Sequence, residues 1–198
     1  ASWENRGSLT VSGDGDFLIQ TGNAKYCYGI NTLGDLVLDT SGLFIITGSE
    51  NVYYSVGVIA GNIIIENGSY AISGGNADYA SYAISTRGMT NYGEGLGNIT
   101  INSGEIFAMS GVVPYIGGIG IENQSQSYGV YCDNVFTINS GSFAAHTYSS
   151  SGDFSMAINK APTLPEWMTA YASTKHELVD FLDNAMPYSS EYNDTYTS

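Results

Sequence analysis

Residues Gly97–Ala108 read GNITINSGEIFA, and near-copies stand elsewhere in the chain as GNIIIENGSYAI from Gly61 and NVFTINSGSFAA from Asn134. In each copy apolar and polar residues alternate, a glycine interrupts, and the alternation resumes. Period-two alternation marks a strand with one buried face, and a glycine at the interruption marks a bend that needs positive φ or close packing. The unit therefore reads as strand, turn, strand.

Setting the whole chain against this unit gives five apolar pairs, Leu9/Val11, Leu36/Leu38, Ile63/Ile65, Ile99/Ile101 and Phe136/Ile138, whose first members lie 27, 27, 36 and 37 residues apart. The glycines Gly15, Gly42, Gly68, Gly104 and Gly141 follow the pairs. Beyond them come Phe17, Phe44, Tyr70, Ile106 and Phe143, and two residues later Ile19, Ile46, Ile72, Ala108 and Ala145. A third ladder appears as YGI at Tyr28, VGV at Val56, YAI at Tyr82, YGV at Tyr128 and MAI at Met156. A minimal unit of about 27 residues thus carries three short strands, and two units each carry an insertion, Thr86–Gly97 and Gly111–Ser127.

A fixed period of this kind predicts an all-β fold, a right-handed parallel β-helix or β-solenoid of about five three-strand coils over residues 1–160, each coil pairing with the next through parallel ladders. The aromatic row Phe17, Phe44, Tyr70 and Phe143 reads as an internal stack. A β-sandwich would account for short strands but not for five matching units in phase. Cys27 and Cys132 adjoin the third strands of the first and fourth coils, roughly 14 Å apart at the interstrand spacing, so two free thiols are expected rather than a disulfide. From Ala161 the pattern stops. Thr174 and Glu177 stand in capping-box spacing ahead of Leu178, Val179, Phe181 and Leu182, which predicts a short helix within a C-terminal cap, residues 161–198.

A chain of 198 residues can bury a proper core. Its formal charge is −14 with only five basic side chains, too few to neutralise a row of phosphates, so nucleic acid is excluded as a partner. Long acidic polymers are also disfavoured unless a cation bridges. No run of eighteen apolar residues exists, so no membrane insertion is expected, and ASWENRGSLT is not a signal peptide. Abundant Tyr, Gly, Asn and Ser with scarce Lys is the composition of secreted or cell-surface β-rich proteins.

Between the inward residues lie two outward rows, Thr10, Val37, Ile64, Thr100, Thr137 and Leu18, Ile45, Ala71, Phe107, Ala144. Both are more apolar than a solvated face should be. Either the C-terminal segment with Trp167 and Phe181 covers them, or they form a homo-oligomeric or assembly surface. Interruption by Val37 and Ile64 argues against a flat threonine row for ice. Asn and acidic residues also stack: Asp39, Glu66, Asn102 and Asn139 after the first strand, Asp35, Asn62 and Asn98 before it. Such rows mostly satisfy backbone donors and one another. The functional alternative is calcium, a hard cation held by Asp35, Asp39 and Glu66, with Asp14 and Asp16 as a second candidate pair.

Catalytic signals are weak. His146 and His176 lack partners in sequence, no nucleophile elbow, paired-histidine motif or phosphate loop is present, and GGIGIEN at Gly117 lacks a lysine and a following helix. A lyase-like enzyme needs a basic residue beside bound calcium. Lys25, Arg87 and Lys160 are the bases of the repeat region, and Arg87 shares an insertion with Glu94. Glycoside hydrolysis would require facing carboxylates, for which Glu66 and Glu105 carry no distinguishing mark. Sugar binding asks only for exposed aromatic faces and a few polar groups. Tyr92 and Tyr115 are read as the aromatics outside the core ladders. With Arg87, Glu94, Glu122 and Asn123 they form the candidate binding set, on insertions from neighbouring coils that would rise together.

The segments GNITINSGEIFAMSG and YGVYC followed by FTINSGSFAA and SMAINKAPTLP resemble the β-solenoid repeats of surface proteins from Gram-positive anaerobes. Less closely, they resemble the right-handed β-helix domain of a clostridial carbohydrate-binding family that binds calcium. The resemblance spans roughly residues 8–165 and its motifs are structural; it implies the fold, and no ligand string of the second family can be placed on this chain. The expectation is a non-catalytic, extracellular or cell-surface module that binds carbohydrate, polysaccharide or surface glycan, or mediates adhesion. A self-assembling structural subunit and a lyase-like enzyme are the alternatives.

Overall fold

A computed structural model describes residues 7–50, 52–86, 97–114, 126–148, 155–166, 169–173 and 193–197. The first repeat contributes β1 (Leu9–Gly13), β2 (Phe17–Gln20) and β3 (Tyr26–Asn31), and the second β4 (Asp35–Thr47) and β5 (Val52–Ile59). The third contributes β6 (Asn62–Ser73) and β7 (Ala77–Ser85), the fourth β8 (Ile99–Ile101), β9 (Glu105–Met109) and β10 (Gln126–Tyr131). The fifth contributes β11 (Phe136–Ile138), β12 (Ser142–His146) and β13 (Ser155–Ile158), and β14 (Thr169–Ser173) and β15 (Asn193–Thr197) follow. The described chain is all-β, and its repeats pair through parallel ladders in two sheets, an arrangement consistent with a β-helix. Among the described residues no helix is long and apolar enough to cross a membrane.

Equivalent residues of successive repeats are hydrogen-bonded neighbours. Leu9 pairs with Leu36, Leu36 with Ile63, Ile63 with Ile99 and Ile99 with Phe136. In the second sheet, ordered β13-β10-β7-β5-β3, the column runs Tyr28, Val56, Tyr82, Tyr128, Met156. The core lies between the sheets. Leu36, Leu38, Phe44, Ile46, Ile63, Ile65, Ile99 and Ile101 are buried there, joined from the second sheet by Ile30, Val58, Ile84, Val130 and Ile158. Of the expected internal aromatic row, Phe17, Phe44 and Tyr70 form a stack, with ring centroids 5.5 and 5.6 Å apart, whereas Phe143 is separated from Tyr70 by Ile106 and sits edge-on to Phe136 at 5.3 Å. The buried Tyr70 hydroxyl donates to the Asn67 carbonyl at 2.6 Å and accepts from the Thr40 amide at 3.2 Å, so its polar end is satisfied.

Three features differ from the sequence reading. First, the expected first and second strands merge in repeats two and three, because strand pairing continues past Gly42 in β4 and past Gly68, at φ +122°, in β6. The two thus lie in one sheet, and the third strand makes the other. Second, the pairing passes from Leu38/Ile65 to Asp39/Asn67, a bulge that leaves Glu66 out of register with Asp39. Third, the ladder does not stop at Ala161. Thr163 bridges Thr137, β14 pairs parallel with β12, and β15 closes against β14 antiparallel. The helix expected from Thr174, and Trp167 and Phe181, lie outside the described residues.

The bends are held by stacked small groups. Gly104 and Gly141 adopt φ of +110° and +91°. A Cβ on Gly141 would strike the Gly104 carbonyl, and one on Gly104 the Gly68 carbonyl, so successive bends rest on one another through bare backbone. At the turn into the second sheet one position is held by Cys27, Ser55, Ser81, Ser127 and Ser155 in successive repeats. Ser55 Oγ and Ser81 Oγ accept the amides of Gly75 and Gly111 at 2.8 Å, while Cys27 Sγ donates to the Gly22 carbonyl at 2.8 Å. Both cysteines are free and buried, in keeping with the spacing argument.

Candidate functional site

The sequence-derived binding residues Arg87, Tyr92, Glu94, Tyr115, Glu122 and Asn123 all fall outside the described residues. The feet of the two insertions are described. Thr86 begins the first; its Oγ1 accepts the Asp133 amide at 2.9 Å, and Gly97, where the chain returns, has no room for a Cβ because the Gly61 carbonyl and then Thr86 stand against it. The second is pinned where Ser127 Oγ donates to the Gly111 carbonyl at 3.0 Å and shares buried hydroxyl contacts with Ser110 and Thr147. These feet do not adjoin. The first leaves the C-terminal end of β7, the second enters at the N-terminal end of β10, and Gln126 pairs with Ala80. Six residues of strand from Ala80 to Thr86 separate them by roughly 20 Å. The described feet of the two insertions therefore stand at opposite ends of the second sheet, a geometry that sequence adjacency does not convey.

Asp35, Asp39 and Glu66 are on neighbouring repeats, but each carboxylate is in a different setting. Asp35 Oδ1 accepts the Asn62 side-chain amide at 2.7 Å, and Glu66 Oε2 accepts that of Asn102 at 2.7 Å. Asp39 stands beside Asn67 across the bulge. Asp14 and Asp16 accept the Ser41 hydroxyl and the Leu43 amide at 3.0 and 2.8 Å. The rows continue through amides, Asn134 Nδ2 donating to Asn98 Oδ1 at 2.9 Å and Asn139 Nδ2 to Asn102 Oδ1 at 2.8 Å. Among the described residues no three His, Cys, Asp or Glu side chains are grouped to hold a metal.

Lys160 and His146 are each held by neighbours. Lys160 Nζ donates to the carbonyls of Asp133 and Asn134 at 2.7 and 2.5 Å, which removes it from a proton-abstracting role. His146 is buried, with its ring edge-on to Tyr148 at 4.9 Å. Glu105 sits in register between Ser69 and Ser142 rather than facing a second carboxylate.

The outer face of the second sheet is where aromatic side chains gather. In the third ladder the β-branched member points to the core, whereas Tyr28, Val56, Tyr82 and Tyr128 pack outside it with Tyr54, Tyr79 and Tyr131. Tyr82 and Tyr128 are stacked at 5.7 Å with planes 9° apart and are buried. Towards the first repeats the face opens. Tyr26 is 46 % exposed and stacks on Tyr54 at 5.6 Å, and Tyr53 stacks on Tyr79 at 5.1 Å. Desolvation, followed by the neighbouring phenols, pushes the Tyr54 hydroxyl far above its ordinary value, so it stays a neutral donor.

Beside these rings lies an open cavity of about 490 Å³, lined by Asn23, Ala24, Lys25, Val52, Tyr53 and Asp78. Its volume falls within the range of small-molecule sites. Lys25 places its ammonium 5.4 Å from the Tyr26 ring centre and 5.1 Å from that of Tyr53, and among the described residues that ammonium makes no ion pair or hydrogen bond. The Lys25 carbonyl accepts the amides of Tyr53 and Tyr54, both at 3.0 Å, which fixes the two repeats against each other. Three successive repeats thus supply a cation, a ring face and, from Asp78, a carboxylate.

Reading Tyr92 and Tyr115 as the aromatics outside the core was therefore incomplete: Tyr26, Tyr53, Tyr54 and Tyr79 also lie off the core. The available signal was the cluster of tyrosines at and just before the third strand, at positions 26, 53, 54 and 79. Comparison of the chain with protein-family models, with curated proteins and with solved structures returned no match.

Proposed function

We propose that the chain is a right-handed parallel β-solenoid working outside the cell or on its surface, of the kind displayed by Gram-positive anaerobes, and that it binds carbohydrate without catalysing a reaction. The observation that carries this reading is the partly exposed tyrosine face beside the 490 Å³ cavity. Sugar rings present C–H faces that pack on aromatic rings and hydroxyls that pair with a few fixed polar groups. Tyr26 offers exposed ring surface beside the cavity, Tyr53 lines it, Asn23 supplies an amide, and Lys25 and Asp78 a donor and an acceptor. The ring contacts among the tyrosines restrict their side chains before a ligand arrives, which lowers the ordering cost of binding.

Isothermal titration against a panel of oligosaccharides tests the reading. Tyr53→Ala is expected to weaken binding about tenfold, because a central aromatic contact contributes on that scale. Binding that is unchanged in Tyr53→Ala would move the site elsewhere, and no binding to any glycan would end the carbohydrate reading.

Self-assembly is the second reading, favoured by exposed Leu18 and Leu43 on the outer face of the first sheet. Light scattering that shows a monomer at high concentration would exclude it.

A further inference from the structure

We propose that the cavity beside the tyrosine face selects a saccharide carrying a single carboxylate, such as a terminal uronic acid, over neutral sugars and over polyanionic chains. This rests on the carbohydrate reading and names the ligand class of that same site. The decisive group is Lys25. In a chain with nineteen acidic and five basic side chains, a lysine at a cavity would be expected to find a carboxylate partner, yet among the described residues its ammonium rests only on the Tyr26 and Tyr53 rings. Asp78 lines the same cavity without pairing with it. The two come from the first and third repeats, so two interstrand spacings, roughly 10 Å, lie between them. At that distance their mutual attraction is largely screened in physiological salt.

That spacing defines two poles with Tyr53 between them. A ligand carboxylate seats at the Lys25 ammonium, the sugar ring packs against the part of Tyr53 that lines the cavity, and hydroxyls at the far side donate to Asp78, which as a carboxylate only accepts. Length restricts the ligand. A polyuronate would run its further charges over a surface of net charge −14, including Asp78 itself, whereas one carboxylate held within a Debye length of Lys25 meets the favourable field alone.

A glycan array decides it, printed with neutral saccharides, the same saccharides ending in one uronic acid, and polygalacturonate, and probed with the wild-type chain, Lys25→Gln and Lys25→Arg. Lys25 is exposed and bonded through its carbonyl, so both variants are expected to keep the wild-type melting temperature. Support is a preference for the uronic-terminated saccharides that falls roughly two- to fivefold in Lys25→Gln and is retained in Lys25→Arg, the range of a partly solvated ion pair. Equal signals on neutral and uronic saccharides, unmoved by Lys25→Gln, would overturn the selection while leaving the carbohydrate reading intact. Stronger signals on polygalacturonate would overturn the single-carboxylate restriction, and no signal on any glycan would overturn both.

Discussion

Gly104 shows what one residue contributes. Its φ of +110° is open to glycine at little cost, and the space for a Cβ is taken by the Gly68 carbonyl of the preceding repeat. Gly104→Ala therefore combines backbone strain with a clash against main chain that cannot swing aside. A loss of at least about 2 kcal/mol is expected in urea unfolding. Gly22→Ala, with no atom within 4 Å of a built Cβ, should stay within about 0.5 kcal/mol of wild type. Similar losses for both would discount the stacked-bend account. Titratable groups set a second test at this scale. Burial raises the phenols of Tyr28, Tyr54 and Tyr70 above 10.0 and the Cys132 thiol above 9.0. The fold holds the neutral forms of these acids. Their contribution is complete below those ordinary values and is lost as pH rises towards the raised ones, where the unfolded chain releases protons first. The urea midpoint should be flat to about pH 9 and fall steadily above about pH 10; a midpoint unchanged at about pH 11 would contradict this.

At the level of the strand, the same inward position is not equally buried in every repeat. Phe44 is fully buried between Phe17 and Tyr70, while Phe17 in β2, next to the sheet edge, is only partly covered. Phe44→Ala should cost about 3–5 kcal/mol, a full aromatic transfer plus a cavity, and Phe17→Ala about 1–2 kcal/mol, since part of its surface is already wet. Chemical denaturation of the two variants measures the difference; equal costs would mean that the end repeat is covered. This element level is also where the sequence was most informative. Ile99 and Ile101 could be placed inward because period-two alternation is the direct imprint of a half-buried strand. Gly42 could not be placed, because a glycine permits a bend without requiring one, and here the chain runs through it. The bulge before Asn67 was equally hidden: one extra residue alters which carboxylates adjoin, and no side-chain pattern records it. The tyrosine face escaped because Tyr28 and Ile30 are two residues apart, which alternation places on one face, whereas the structure puts Ile30 in the core and Tyr28 outside it.

Across the molecule, stability is distributed along a line. Each repeat pairs with the one before and the one after, so the described chain is a series of neighbour contacts closed at one end by β15, with β1, β2 and β3 at the other. Leu9 in β1 is 40 % exposed, whereas Leu36, its partner one repeat inward, is fully buried. Amide exchange should be slowest in β4 to β7 and progressively faster through β3, β2 and β1. Uniform protection across all repeats would indicate a single cooperative unit instead. The paired strands have one further outcome, which concerns load. Every ladder bond points from one repeat to the next, along the direction of stacking. A chain held at its two ends and pulled would thus be stretched along its own main-chain bonds, a few at a time, instead of shearing a whole sheet. It would give way in small successive yields from the edge at β1, each freeing roughly 90 Å of extended chain per 27-residue repeat, and so absorb a tug by lengthening rather than by breaking at once.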